Sequence, residues 1–234
     1  FIDRNDYSKY IRSAIENNNI KIAKYLLNKT YIKCKEISFS AGYIKNKEMI
    51  NYLIDINNIN YEYGLLGACR SGNIEMVEYM LSIGAVINYK CSLCACRSGC
   101  LNMVKFILKK DINLLYDGDI LIYACLSKNL DIVKLLYKIL NPNYYVITVT
   151  LEYACAYGYI DIVKYLIDRG AYNINYSLMV VSESKQVSMI NYLLSIGAYY
   201  QNYAINDLRR ISINNLPDID KKLLNRPTII SYLL

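Results

Sequence analysis

Apolar residues recur along this chain with two nested periods. The short period is that of a helix and the long one is close to 27 residues. Taking Ile15, Gly42, Cys69, Cys96, Cys125, Cys155 and Ser182 as anchors, the spacings are 27, 27, 27, 29, 30 and 27. The residue before the anchor is Ala14, Ala41, Ala68, Ala95, Ala124, Ala154 or Val181, so six of the 12 alanines stand in one column. Positions +7, +8, +11 and +12 from the anchor are apolar in every copy. That is 28 positions of 28, where a composition 54% apolar gives about 15. The clearest copies are ACRSGNIEMVEYMLSIGA (68–85) and ACAYGYIDIVKYLIDRGA (154–171).

The spacing within one copy predicts its structure. Apolar residues at +7, +8, +11 and +12 define a helix with one buried stripe, while +6 and +9 (Glu75 and Glu78; Asp161 and Lys164) face water. A shorter helix ends near the anchor, and its alanine column lets a neighbour pack closely. Gly72, Gly99 and Gly158 fall where that helix must stop, and Gly84-Ala85, Gly170-Ala171 and Gly197-Ala198 end the second helix. Asn18, Lys45, Lys128 and Lys185 stand in place of the first glycine elsewhere, so those turns are expected to be strained or differently built. One helix pair cannot bury its own stripe, so the pairs must stack.

This ordering resembles the ankyrin repeat over roughly residues 8 to 200. The resemblance implies an all-α ankyrin-repeat solenoid of about seven helix pairs, with an array over 1–206 forming one continuous domain and a degenerate terminal repeat or cap over 207–234. Two departures stand out. The family's Thr-Pro-Leu-His opening is replaced in every copy, for example by Tyr63-Gly64-Leu65-Leu66, so first helices are expected to start less sharply. The 27-residue spacing is short of the family's ~33, and the missing residues are those of the projecting β-hairpin finger. Fingers are therefore expected to be short or absent, and strand content near zero. The Tyr-rich VKYL version of the second helix and the bias toward AT-rich codons are similar to ankyrin proteins of large DNA viruses of the mimivirus type.

Composition sharpens this picture. Ile, Asn, Lys and Tyr supply 104 of 234 residues, which reads as a codon background, and Asn and Lys are discounted as motifs on that ground. The chain has no His. That excludes a Ser-His-Asp triad, a Cys-His dyad and any His-containing metal site within it. No phosphate-binding or dinucleotide-binding glycine loop is present. No stretch approaches the ~18 apolar residues that span a bilayer, and FIDRNDYSKY is not a secretory signal. The expected setting is therefore intracellular and cytoplasmic, the host cytoplasm if the chain is viral, with cysteines as thiols. Residues 1–50 carry ten Lys/Arg against five Asp/Glu, five of the net +7 charges. This is read as a solvated basic surface rather than a nucleic-acid site.

Three clusters compete as candidate chemistry. CSLCACRSGC holds Cys91, Cys94, Cys96 and Cys100, which superficially suits a four-thiolate zinc site. All four lie within ten residues, however, and Cys96 shares the small-residue column of Cys69, Cys125 and Cys155, so they are read as small buried apolar residues. Asp131 and Asp161 recur at +6 as solvated positions. The +10 column (Tyr25, Tyr52, Tyr79, Tyr165 and Tyr192, with Phe106 and Leu135) is read as the rim of the inter-repeat core, with hydroxyls reaching water. No catalytic, cofactor-binding or metal-binding residue is assigned, no cofactor is expected, and the chain is read as a non-enzyme.

The ankyrin resemblance implies that partner contacts come from the two residues after each anchor, on the concave face of the first helices. Residues assigned to partner binding are Tyr43, Arg70, Ser71, Arg97, Ser98, Leu126 and Tyr157. The neighbouring Arg70 and Arg97 are expected to contact acidic groups on a protein partner. No membrane or nucleic-acid partner is expected, and the chain is read as a monomer. A second reading is a viral adaptor, because LPDIDKKLL (216–224) is similar to the opening of an F-box-like segment that recruits a host ubiquitin ligase.

Overall fold

A computed structural model describes residues 4–30, 35–110, 120–171, 173–184 and 186–199. The segment 207–234, with the expected cap and the LPDIDKKLL stretch, lies outside the described residues, as does Lys185. The chain divides into two compact units, residues 1–136 and 137–234.

The described residues of the first unit form α1 (Arg4–Glu16), α2 (Ile20–Thr30), α3 (Lys35–Tyr43), α4 (Lys47–Asp55), α5 (Tyr61–Arg70), α6 (Ile74–Ser82), α7 (Tyr89–Arg97), α8 (Leu101–Lys110), α9 (Ile120–Leu126) and the start of α10 (Leu130–Leu140), within which the boundary falls. The second unit holds α11 (Tyr144–Ala156), α12 (Ile160–Asp168), α13 (Ile174–Ser184) and α14 (Val187–Ser195). First helices stack in sequence, α1 on α3, α5, α7 and α9 in one unit and α11 on α13 in the other. Each unit is thus an all-α repeat solenoid of helix pairs. No described residue is in a strand, and α6 joins α7 through residues 83–88 alone, where a finger would stand.

Burial follows the columns, with one correction. The alanines at 41, 68, 95, 124 and 154 are fully buried, and so are Val77, Val133 and Val163 at +8. The +11 residues Leu53, Met80, Ile107, Leu136, Leu166 and Leu193 are core. Most +12 residues are not: Leu27 is buried, but Ile54, Leu81, Leu108, Ile167 and Leu194 are half-buried. At about 100° per residue, +8 and +11 lie within about 100° of +7, while +12 swings out to about 140°, the flank of the stripe.

The turns replace glycine without changing their geometry. Gly72, Gly99 and Gly158 have φ of 70°, 74° and 73°, and Asn18, Lys45 and Lys128 adopt 54°, 64° and 62° at the equivalent place. These turns are strained, since a left-handed Lys costs roughly 1–2 kcal/mol.

Asparagine is not background here. Asn46 and Asn73 each accept the N–H three residues on, at 2.8 Å, and so start α4 and α6. Asn60, Asn88 and Asn143 do the same for the first helices α5, α7 and α11. These three first helices therefore start sharply although the Thr-Pro-Leu-His opening is lost. The Asn side chain supplies the acceptor that satisfies the helix's first free N–H groups.

Candidate protein-interaction face

The second helices turn their polar side chains toward the neighbouring pair. In the first unit Lys24 Nζ lies 2.7 Å from Glu48 Oε1, and Lys47 Nζ lies 2.6 Å from Glu75 Oε1. The Lys47 ammonium holds the Glu75 carboxyl below the usual carboxylate range. Lys24 and Lys47 also sit 5.1 and 5.4 Å over the rings of Tyr52 and Tyr79. The Tyr52 hydroxyl donates to Asn28 Oδ1 at 2.6 Å, and the Tyr79 hydroxyl donates to Asn51 Oδ1. In the second unit Lys164 stands 5.6 Å over Tyr192. The expectation that the +10 hydroxyls end in water is corrected for Tyr52 and Tyr79. Asn28 and Asn51 on the preceding second helix reach them, so these tyrosines join one pair to the next.

The inner face is built differently. Gly42, Gly64 and Gly67 bring α3 and α5 together backbone to backbone. A Cβ added at Gly42 would lie 2.0 Å from the Gly64 carbonyl oxygen, and one at Gly67 would lie 2.0 Å from that of Phe39. Tyr43 is thereby set beside Gly67, one turn before Arg70, with 45% of its surface exposed and its ring stacked 6.3 Å from Phe39. Arg70 is half-buried at the end of α5 and Arg97 is exposed at the end of α7. Both act electrostatically on the Cys94 thiol, pulling it down against the burial that pushes it up to about 11. Neither forms an ion pair among the described residues, whereas Glu62 is engaged by Lys90 at 2.9 Å and Glu16 by Arg12 at 3.3 Å.

The other assigned residues divide. The Ser71 and Ser98 hydroxyls donate to the carbonyls of Ala68 at 2.9 Å and Ala95 at 2.6 Å, so they close the ends of α5 and α7. Leu126 is half-buried at the end of α9, the helix stacked on α7. Tyr157 belongs to the second unit, exposed and stacked 5.8 Å from Tyr159. Thus Tyr43, Arg70, Arg97 and Leu126 end consecutive first helices of one stack, and Tyr157 stands in the other unit.

The cysteines are packing groups. Cys69, Cys91, Cys96, Cys125 and Cys155 are buried, Cys94 and Cys100 are only half-buried against the expectation, and no disulfide joins the described cysteines. Burial pushes the Cys96 and Cys155 thiols up to about 12. Cys91 and Cys96 lie on α7 and Cys100 lies past its turn, and no three Cys, Asp or Glu side chains come together as a metal site among the described residues. Asp131 and Asp161 are exposed on α10 and α12.

The family model for ankyrin repeats (3 copies) matches residues 37–115, 65–148 and 93–177. The chain belongs to the ankyrin-repeat family. These matches run across both units of stacked helix pairs, and the fold is the family's. Among curated proteins the chain finds no match. Ankyrin repeats are protein-binding modules, and no helix among the described residues is long and apolar enough to cross a membrane.

Proposed function

We propose that this ankyrin-repeat chain is a non-enzymatic scaffold that binds an acidic segment of a protein partner across the inner ends of α3, α5, α7 and α9. One observation carries the reading: Arg70 and Arg97 stand on neighbouring helices and form no ion pair among the described residues, in a stack whose outer lysines 24 and 47 are paired. Two neighbouring guanidinium groups suit carboxylates of a ligand, because Arg presents a planar fork of donors. Tyr43 and Leu126 border it with aromatic and apolar surface. Free cysteines suit a reducing, cytoplasmic setting.

The test is binding of fluorescent Glu-rich and Lys-rich peptides to the chain and to its Arg70→Glu, Arg97→Glu double variant. The Glu-rich peptide is expected to bind the native chain, to weaken with salt, and to lose at least tenfold in affinity on the double variant. Equal affinity for both peptides, or an unaffected double variant, contradicts the reading. The Tyr-rich VKYL second helix and the bias toward AT-rich codons are the features that suggest an origin in a large DNA virus, and finding the gene in a cellular genome would contradict it.

A further inference from the structure

An anchor cysteine meets one particular position of the next first helix. In the second unit Cys155 of α11 shares a side-chain hydrogen bond with Ser177 of α13. In the first unit Cys69 of α5 shares one with Cys91 of α7, the helix stacked on it. Ser177 and Cys91 each stand five residues before the following anchor, Ser182 or Cys96, so one register of the stack makes both contacts. The other copies hold Tyr10, Ile37, Gly64, Ile120 and Thr150 in that column. Between α5 and α7 alone, the register sets a thiol against a thiol.

The two thiols are unlike in character. Cys91 is the third residue of α7, whose N-cap is Asn88, and a helix N-terminus favours a thiolate. The Cys69 thiol donates to the Cys91 sulfur. That bond, helped by the backbone N–H groups of Asn88 and Cys91, draws Cys91 below the usual thiol range against its burial. The same bond, together with burial, pushes Cys69 up, so Cys69 keeps its proton. A sulfur that ionises readily thus touches one that stays protonated, which is the arrangement of an attacking thiol and its resolving partner. Cys94, one turn further along α7, is half-buried, and burial pushes it up to about 11, so it lacks the thiolate character of Cys91. Neither Cys69 nor Cys91 has exposed surface, so an oxidant that reaches them must be close to water in size.

We propose that Cys69 and Cys91 are an oxidation site for hydrogen peroxide, which closes a reversible disulfide between α5 and α7. The Cys91 thiolate attacks one peroxide oxygen. An S–O bond forms, the O–O bond breaks, and the departing hydroxide takes up the proton that Cys91 released, leaving water and a sulfenic acid. The Cys69 sulfur then attacks the Cys91 sulfur. The S–S bond forms, the S–O bond breaks, and the second hydroxide leaves as water with the proton of Cys69. Two thiols are oxidised to one disulfide while one peroxide is reduced to two waters.

The test treats the full, folded chain with hydrogen peroxide, blocks the remaining thiols by alkylation and maps tryptic peptides by mass spectrometry. Cleavage after Arg70, Lys90 and Arg97 leaves Cys69 in 48–70, Cys91, Cys94 and Cys96 in 91–97, and Cys100 in 98–105. The expected product joins 48–70 to 91–97, with fragmentation placing the bond at Cys91. It forms at the same rate when the protein is diluted, as an intramolecular bond must, and dithiothreitol reverses it. Cys91→Ser abolishes the product, whereas Cys94→Ser changes its rate of formation by less than about twofold. A disulfide within 91–97, oxidation confined to the half-buried Cys94 and Cys100, or no loss of thiols overturns the proposal. So does a 48–70 to 91–97 link that forms only in urea, since the folded contact would then play no part. Mapping of the native chain and of Cys94→Ser decides the matter even if Cys91→Ser does not fold.

Discussion

The outer and inner faces of the first unit are made from similar residues and use them in opposite ways. On the second helices, Lys24, Lys47, Tyr52 and Tyr79 are each tied to a neighbouring pair by an ion pair, a ring contact or a hydroxyl bond. At the ends of the first helices, Arg70 and Arg97 make no ion pair among the described residues, and Tyr43 turns nearly half its surface outward. Both faces are polar, so composition does not separate them. The difference lies in where the partner stands. Outer polar groups complete the stack, while between α3 and α5 a seam of Gly42, Gly64 and Gly67 holds the first helices together through their backbones. First helices are also tied by side chains, as Lys90 to Glu62 and Ser40 to Glu16, but Arg70 and Arg97 are not among those ties.

That contrast can be broken at several points. Gly67→Ala attacks the seam and has the largest expected effect, a loss of about 3 kcal/mol by denaturant unfolding, because the new Cβ meets a backbone oxygen that cannot swing away. Asn73→Ala removes the acceptor that starts α6 and is expected to cost about 1 kcal/mol. Tyr79→Phe deletes one outer hydroxyl and leaves Asn51 to water, for a loss of roughly 0.5–1 kcal/mol. Lys128→Gly is expected to act in the opposite direction. It relieves a left-handed turn and gains about 0.5 kcal/mol after the entropy cost of glycine is subtracted.

Alkaline pH probes the packing that both units share. Cys96 and Cys155 titrate at about 12 when folded against an ordinary thiol value of 9.0. A raised folded value means the native state holds the proton more tightly than the unfolded chain does. The stabilisation is fully present below pH 9 and is lost as pH rises toward 12. Replacing Cys96 by Ala should make unfolding free energy, followed from pH 8 to 11, less steep over that window. An unchanged slope would mean the thiol is not held in the protonated form.

The helix pairs were legible because burial imposes a strict period: Met76, Val77 and Met80 must be apolar, and the anchor alanine must be small. The error at +12 came from counting apolar letters instead of angles, since Ile54 and Leu81 sit on the flank of the stripe. The asparagine caps were hidden by the codon background that makes Asn common. Their positions four residues past the anchor at 19, 46, 73 and 129 carried the signal that abundance masked. The Gly64-Gly67 seam was hidden because it depends on how closely two helices approach, which no single helix encodes. At the ends of the first helices, sequence position pointed to Arg70 and Arg97 as candidates for a partner. It gave Ser71 and Ser98 the same standing, although their hydroxyls close helix ends.

The most direct test sets the two faces side by side in one denaturation experiment. Tyr52→Phe with Tyr79→Phe is expected to cost the chain roughly 1–2 kcal/mol. Arg70→Glu with Arg97→Glu is expected to change stability by less than about 0.5 kcal/mol. An arginine double variant that loses as much stability as the tyrosine pair would show that the inner rim is part of the stack, and would contradict the account.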